Sequence, residues 1–153
     1  GAVVANSLWL WGGGTLPALS PRQLAAAWGG AHLTRALAAA AGIAHHELPA
    51  DGADFLTAAS AGPHLVVIDA AAEALRDGGI DEWRTQLALL DERWMRPLLT
   101  ALRAEALTGL TLVACNDDCM LETTMSRAHA WRFWRRTRPL AAYAANPHPA
   151  YAS

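Results

Sequence analysis

The sequence predicts an α/β fold: a mostly parallel sheet with helices on both faces. Two short runs, 65–68 and 110–115, consist almost entirely of apolar residues, as is typical of strands buried on both sides. Amphipathic stretches and turns rich in Gly and Pro separate the apolar runs, as βαβ units require. The length of 153 residues favours a single domain, 1–153, with enough chain for a substantial core.

Composition narrows the function classes. Hydrophobic residues make up 53% of the chain and charged residues 17%, so nearly every element is expected to bury one face. A net charge of -2 argues against general nucleic-acid binding. No apolar run is long enough for a membrane span, and Cys115 and Cys119 lack disulfide-scaffold or zinc spacing. We therefore expect a cytoplasmic protein that does not bind membranes.

The first element is a run of bulky, uncharged residues at 8–11, followed by three glycines in the stretch N-S-L-W-L-W-G-G-G. It predicts a buried strand that ends in an open loop. Ligands of open α/β sheets bind beyond the carboxyl ends of strands, where glycines let backbone N–H groups approach them. The spacing matches neither a dinucleotide-binding loop nor a P-loop, so a sharp turn is the alternative to phosphate binding. The candidate ligand-binding residues here are Trp11, Gly12, Gly13 and Gly14.

Two short helices are predicted in the next segment, 20–42. Ser20 is a suitable N-cap for a helix that runs to position 27. Positions 32–33 are then expected in a short strand. Thr34 caps the second helix, which ends at Gly42, the residue type that most often follows a helix.

A connection, a helix and a strand are predicted next. His45 and His46 are expected in the connection, as solvated side chains rather than metal ligands, because no Cys or further His lies at ligand spacing. Asp51 can start a helix that Gly62 closes. The run 65–68 then predicts a strand in the centre of the parallel sheet.

The clearest helix begins near Ile80. Large apolar residues recur at spacings of three and four, with charged residues between them, which predicts an amphipathic helix. Pro97 predicts a kink or break, after which the helix continues to about position 107 and Gly109 ends it. The apolar positions are Trp83, Leu87, Leu90, Trp94 and Leu98.

The last part of the chain is predicted to hold strands and an extended tail. The run 110–115 forms a buried strand, positions 119–128 are irregular, 131–136 forms a last strand and 137–153 an extended tail. The alternative for 131–136, W-R-F-W-R-R, is an interaction module in which tryptophans and arginines bind RNA or an acidic partner.

A polar cluster is predicted at the end of the strand 110–115. Asn116, Asp117 and Asp118 mark the tip of this strand, and His129 follows in the chain. If both segments meet near the glycine loop, they form a second set of candidate ligand-binding residues. One carboxylate pair and one histidine are few for a two-metal centre, and no serine or cysteine stands in a nucleophile motif. We therefore predict no catalytic and no metal-binding residues.

With these residues laid out, N-S-L-W-L-W-G-G-G-T-L-P resembles the N-x-x-W-L-W-G-x-G segment of archaeal-type cofactor-independent phosphoglycerate mutases, members of the alkaline phosphatase superfamily. Within this family the chain resembles a proteobacterial branch described as phosphoglycerate-mutase-like or RpfE-type regulatory proteins, and the resemblance covers most of positions 6 to about 139. The resemblance implies an alkaline-phosphatase-like fold and the C-terminal part of a longer protein.

The departures from the family concern its metal ligands. Working members hold two divalent ions, such as manganese or zinc, with an Asp-Glu-Ala-Gly-His stretch, an Asp-His pair at a strand tip and a later His. Here Ala72 and Arg76 replace the Asp and His of the first stretch, Asn116-Asp117 replaces the pair, and His129 alone keeps its identity. Neutral side chains and an arginine cannot offset the charge of a divalent cation.

The resemblance and its departures together imply a metal-free, non-catalytic domain with a binding or regulatory role and no cofactor. Its expected partner is a protein or a small phosphorylated ligand. The alternative is a metal-dependent phosphomutase or phosphohydrolase whose missing ligands come from an N-terminal segment or another subunit.

Overall fold

The computed structural model describes residues 24–77, 79–115, 119–131 and 148–149. The predicted strand at 8–11, its glycine loop, the acidic tip 116–118 and most of the segments 131–136 and 137–153 lie outside these residues. The described elements alternate between strands and helices up to α3, continue as helical segments to residue 103 and then form a hairpin. In chain order they are β1 (Ala26–Trp28), α1 (His32–Ala41), β2 (Ala44–His46), α2 (Gly52–Ala58), β3 (His64–Val66), α3 (Ala70–Asp77), α4 (Gly79–Leu90), a π-helical turn (Asp91–Met95), α5 (Arg96–Arg103), β4 (Leu110–Cys115), β5 (Cys119–Met125), α6 (Arg127–Ala130) and β6 (His148–Pro149).

The first three strands form a parallel sheet in the order β2-β1-β3. Trp28 of β1 aligns with His46 of β2 and with Val66 of β3. Strand β1 is buried along its whole length because it has a partner on each side. The described residues are therefore an α/β arrangement in which parallel strands are joined by helices, as the sequence predicts.

Helices α1 and α2 lie on opposite faces of this sheet. Ala26 and Trp28 belong to a core cluster with Phe55 of α2, whereas Ala27 faces the same cavity as Ala38 of α1. Successive residues of a strand point to opposite faces, so the two helices cover different sides. The cluster also includes Trp94 and Leu98, which brings the long helical segment onto the α2 side.

The ends of α1 and α2 follow local rules. Gly42 ends α1 in the left-handed conformation, with φ of 67°, as predicted. Asp51 precedes α2, and its carboxylate accepts hydrogen bonds from the N–H groups of Ala53 and Asp54, each at 2.9 Å. Thr34 lies inside α1 and is buried, because α1 begins at His32, three residues earlier than predicted.

The helical segment after Gly79 contains a π-helical turn instead of a break at Pro97. The N–H of Arg96 donates to the carbonyl of Asp91, five residues back. Pro97 has no N–H for Arg93, and its ring would collide with that carbonyl in a regular helix, so the preceding turn widens. Trp94 and Leu98 are buried as the periodicity predicts, and α5 ends at Arg103, earlier than expected.

The remaining strands form a second, antiparallel sheet in the order β4-β5-β6. Leu110 lies opposite Met125, and Cys115 lies opposite Met120. Leu110 packs against the core cluster, but the rest of β4 is exposed. The prediction of a buried strand at 110–115 is therefore right about the strand and wrong about its burial.

Several sequence predictions in the first half are wrong. Positions 26–28 form a strand instead of the end of a helix, because pairing on both sides overrides the helix preference of alanine. Positions 32–33 belong to α1, and His45 and His46 belong to β2. Strand β3 starts at His64 and is an edge of the described parallel sheet, whose central strand is β1.

Strand β5 and helix α3 are not predicted from the sequence. Residues 119–125 form β5 instead of an irregular stretch, because they pair with β4 along its whole length. Residues 70–77 form α3, in which Ala72 and Arg76 are both exposed. Within the described part of the chain, no helix has the length and apolar character needed to cross a membrane.

Candidate functional site

His129 is the one predicted ligand-binding residue that the structure describes. It is exposed in the first turn of α6, where its Nδ1 lies 3.3 Å from both the N–H and the Oγ of Ser126. This contact caps the helix. The other candidates, Trp11, Gly12, Gly13, Gly14, Asn116, Asp117 and Asp118, lie outside the described residues, so the polar cluster stays a prediction.

The connection 116–118 and His129 follow opposite ends of the hairpin formed by β4 and β5. Residues 116–118 connect Cys115 to Cys119 at one end of the hairpin, whereas His129 follows Met125 at the other end. Five residue steps separate the two ends, which is about 17 Å along a strand. The sequence missed this geometry because an apolar strand reads the same in a parallel and in an antiparallel sheet.

Three histidines near the parallel sheet make structural contacts. The Trp28 Nε1–H donates to Nδ1 of His64 at 3.2 Å, and Nε2 of His64 donates to the carbonyl of Ser60 at 2.8 Å. The ring of His46 stacks on Trp28 with a centroid distance of 4.4 Å. Nε2 of His45 donates to the carbonyl of Gly29 at 3.0 Å. Both ring nitrogens of His64 therefore have hydrogen-bond partners.

The described residues contain no group of three or more His, Cys, Asp or Glu side chains placed to hold a metal ion.

An apolar cavity lies beside α1 on the sheet face opposite α2. Its volume is about 420 Å³, within the range of roughly 300 to 1,000 Å³ typical of ligand pockets. Thr34 contributes the single hydroxyl among aliphatic side chains. The lining residues are Leu24, Ala27, Leu33, Thr34, Leu37, Ala38, Ala41, Ile43, Leu65 and Val67.

Small residues form the floor of this cavity and large ones its rim. Ala27 of β1 and Ala38 of α1 line the cavity and are each 3% exposed, and their methyl groups are too small to fill it. Leu33 and Leu37 of α1 and Leu65 of β3 are 69%, 47% and 46% exposed. The rim is therefore a set of aliphatic side chains in contact with solvent, which is typical of a binding surface.

A row of apolar residues along α1 is the sequence signal for the cavity. Leu33, Leu37 and Ala41 recur every four residues, so they form one row along α1, about 12 Å from first to last. Such a row predicts contact with a neighbouring element. The predicted strand at 32–33 separates Leu33 from the helix, so the sequence prediction does not contain this row.

Comparison of the chain with models of protein families, with curated proteins and with solved structures yields no match.

Proposed function

We propose that this chain is a non-catalytic binding domain, cytoplasmic and regulatory, and that its binding site is the apolar cavity beside α1. The observation that carries the proposal is the cavity itself, with an alanine floor and a rim of exposed leucines. The resemblance of the segment 6–14 to phosphoglycerate mutases supports an origin in an alkaline-phosphatase-like enzyme whose metal-ligand positions have changed.

The occupant that we propose is an amphipathic helix of a partner protein. Parallel sheets are normally covered by helices on both faces. On the α1 side, Leu65 of β3 lines the cavity and is exposed, and among the described residues no helix packs extensively on β3. A helix placed beside α1 would cover both Leu65 and the row that contains Leu33 and Leu37.

The chemistry of the site also favours this occupant. A helix presents apolar side chains at i, i+3, i+4 and i+7, which matches a groove walled by one helical row and one strand. Thr34 is the single hydroxyl among the lining side chains, and none of them is charged, so the site offers little to fix a phosphate or a sugar.

The test is a titration with a 14-residue peptide that carries leucines at i, i+3, i+4 and i+7 and polar residues elsewhere. A peptide of the same composition in scrambled order is the control. We expect the amphipathic peptide to bind at least about tenfold more tightly, because only its leucines form one face. Equal binding of both peptides would overturn the proposal.

A pair of variants locates the binding site. Leu37→Lys places a charge on the cavity rim, whereas Leu75→Lys makes the same change at a leucine of α3 that is 52% exposed and does not line the cavity. We expect Leu37→Lys to weaken binding of the amphipathic peptide by about tenfold or more and Leu75→Lys to leave it unchanged, because burying a lysine charge in an apolar site is unfavourable. Equal effects of the two changes would contradict this assignment.

The enzymatic alternative has a separate test. Hydrolysis of p-nitrophenyl phosphate or conversion of phosphoglycerate by the longest native form of the protein that contains this chain, with excess Mn²⁺, would identify a metal-dependent phosphoryl-transfer enzyme. We expect no turnover above that of Mn²⁺ alone. Turnover that His129→Ala abolishes would replace the binding proposal with the enzymatic one.

A further inference from the structure

The hairpin of β4 and β5 is attached to the rest of the molecule at one end. Leu110, the first residue of β4, packs against the core cluster, and Arg103 of α5 donates to the carbonyl of Ala130, which follows β5 at the same end. Beyond this base, every residue of β4 is exposed. The strand therefore extends away from the core with both faces in contact with solvent.

Strand β4 has none of the features that protect exposed strands from pairing. Its sequence, L-T-L-V-A-C, contains no charged residue, proline or glycine. Leu112 and Val113 are 39% and 50% exposed. Edge strands of soluble proteins usually carry lysines, prolines or bulges that prevent association with another strand. An edge without them favours addition of a further strand.

The outer edge of β4 has the hydrogen-bonding groups for such an addition. The sheet order is β4-β5-β6, so β5 pairs with one side of β4, and no other described strand pairs with its second side. In an antiparallel sheet, alternate residues direct N–H and C=O groups to each side. The outward groups of β4 can bind the backbone of an extended partner.

We propose that β4 of a second copy of this chain is that partner, paired antiparallel about a two-fold axis at Val113. A two-fold axis perpendicular to the sheet pairs a strand with itself and keeps each face continuous. Centring on Val113 places Thr111 opposite Cys115 and Leu112 opposite Ala114, and no pair contains a charge. It also leaves Leu110 in its contact with the core.

The second copy is favoured over an unrelated peptide because both sides of the new pairing have high strand propensity. Val113 would face Val113 of the other copy, a β-branched pair of the kind that stabilises neighbouring strands. The result is a continuous six-stranded sheet, β6-β5-β4-β4-β5-β6, across the two copies. The edge of β4 that no described strand covers in one chain is paired in the dimer.

The test is sedimentation equilibrium of the whole chain from about 1 to about 200 µM, in a reducing buffer so that Cys115 thiols do not cross-link. We expect a reversible monomer–dimer equilibrium. A monomer at every concentration would overturn the proposal.

Val113→Lys probes the axis directly. The new lysines would face each other across the axis, whereas within each chain Lys would lie opposite Glu122 of β5 and preserve the hairpin. We expect the dimer dissociation constant to rise about fivefold or more, as for like charges opposite each other in a sheet. Thr124→Lys adds the same charge to β5, away from the axis, and should leave the dissociation constant unchanged. Equal effects of the two lysines would contradict the proposed interface.

Hydrogen exchange of the unmodified chain gives a readout that needs no variant. In the dimer, outward N–H groups of β4 donate to the other copy. We expect peptides that cover 111–115 to exchange more slowly as the protein concentration rises, with no change in peptides from α4. Exchange in 111–115 that is independent of concentration would overturn the proposal.

Discussion

Trp28 joins the three parallel strands through a histidine on each neighbouring strand. Its ring stacks on His46 of β2, and its indole N–H donates to His64 of β3. Trp28 is 6% exposed, so its N–H has little access to water and depends on His64 for a partner. Phe55 of α2 contacts both Trp28 and His64 edge-on, which ties the helix to the same cluster.

The hydrogen bond between Trp28 and His64 leads to a prediction for stability. His64→Leu leaves the buried indole N–H without an acceptor, and we expect a loss of about 1 to 3 kcal/mol in the free energy of unfolding. His32→Leu is the matched control, because His32 is exposed, and it should change stability by less than about 0.5 kcal/mol. Urea unfolding followed by tryptophan fluorescence measures both. Similar stabilities of the two variants would show that the hydrogen bond contributes nothing.

The structural role of a single residue can be predicted from the sequence where it depends only on neighbouring residues in the chain. Gly42 and Asp51 were identified from helix-end chemistry, because their effects depend on backbone groups within a few residues. His45 and His46 were misplaced because nothing nearby marks a three-residue strand. They lie in β2 because β1 pairs with them, and β1 is about 20 residues away in the chain.

At the scale of elements, α5 is the helix most firmly held. Leu98 and Ala101 are buried, and Leu102 is completely so. The periodicity from Ile80 onwards predicted this segment, because a repeat of three and four residues is a property of the sequence alone. At Pro97 the sequence predicts a kink or break. The structure has a π-helical turn just before it, because the missing N–H of Pro97 changes the hydrogen bonding of the preceding turn.

Leu102 supplies the prediction at this scale. Leu102→Ala removes a side chain that is 0% exposed and leaves a cavity, so we expect a loss of about 2 to 5 kcal/mol in the free energy of unfolding. Leu75→Ala, at the exposed leucine of α3, should cost far less. Thermal and urea unfolding give both values. A cost of less than 1 kcal/mol for Leu102→Ala would contradict the burial of α5.

At the scale of the whole molecule, the described chain has two exposed apolar surfaces on two different sheets. One is the cavity beside α1, and the other is the hairpin of β4 and β5. The sequence predicted an α/β fold but assigned 110–115 to the parallel sheet. Apolar strands have the same composition in both settings, and only the pairing of β4 with β5 distinguishes them.

The cavity could not be predicted from sequence motifs. The motifs indicate the glycines at 12–14 and His129, because glycine and histidine are residue types that commonly bind ligands. The cavity is made of alanines and leucines, which resemble core residues in any sequence. Its presence depends on the distance between α1 and β3, and that distance is set by packing rather than by a motif.

The most direct test of the binding proposal is methyl NMR of the chain during titration with the amphipathic peptide. We expect the chemical shifts of Leu33, Leu37, Leu65 and Val67, which line the cavity, to change together. The methyl groups of Leu75 should keep their shifts, because Leu75 is equally exposed on α3. Changes confined to Leu112 and Val113 of the hairpin, or no change at saturating peptide, would contradict the account.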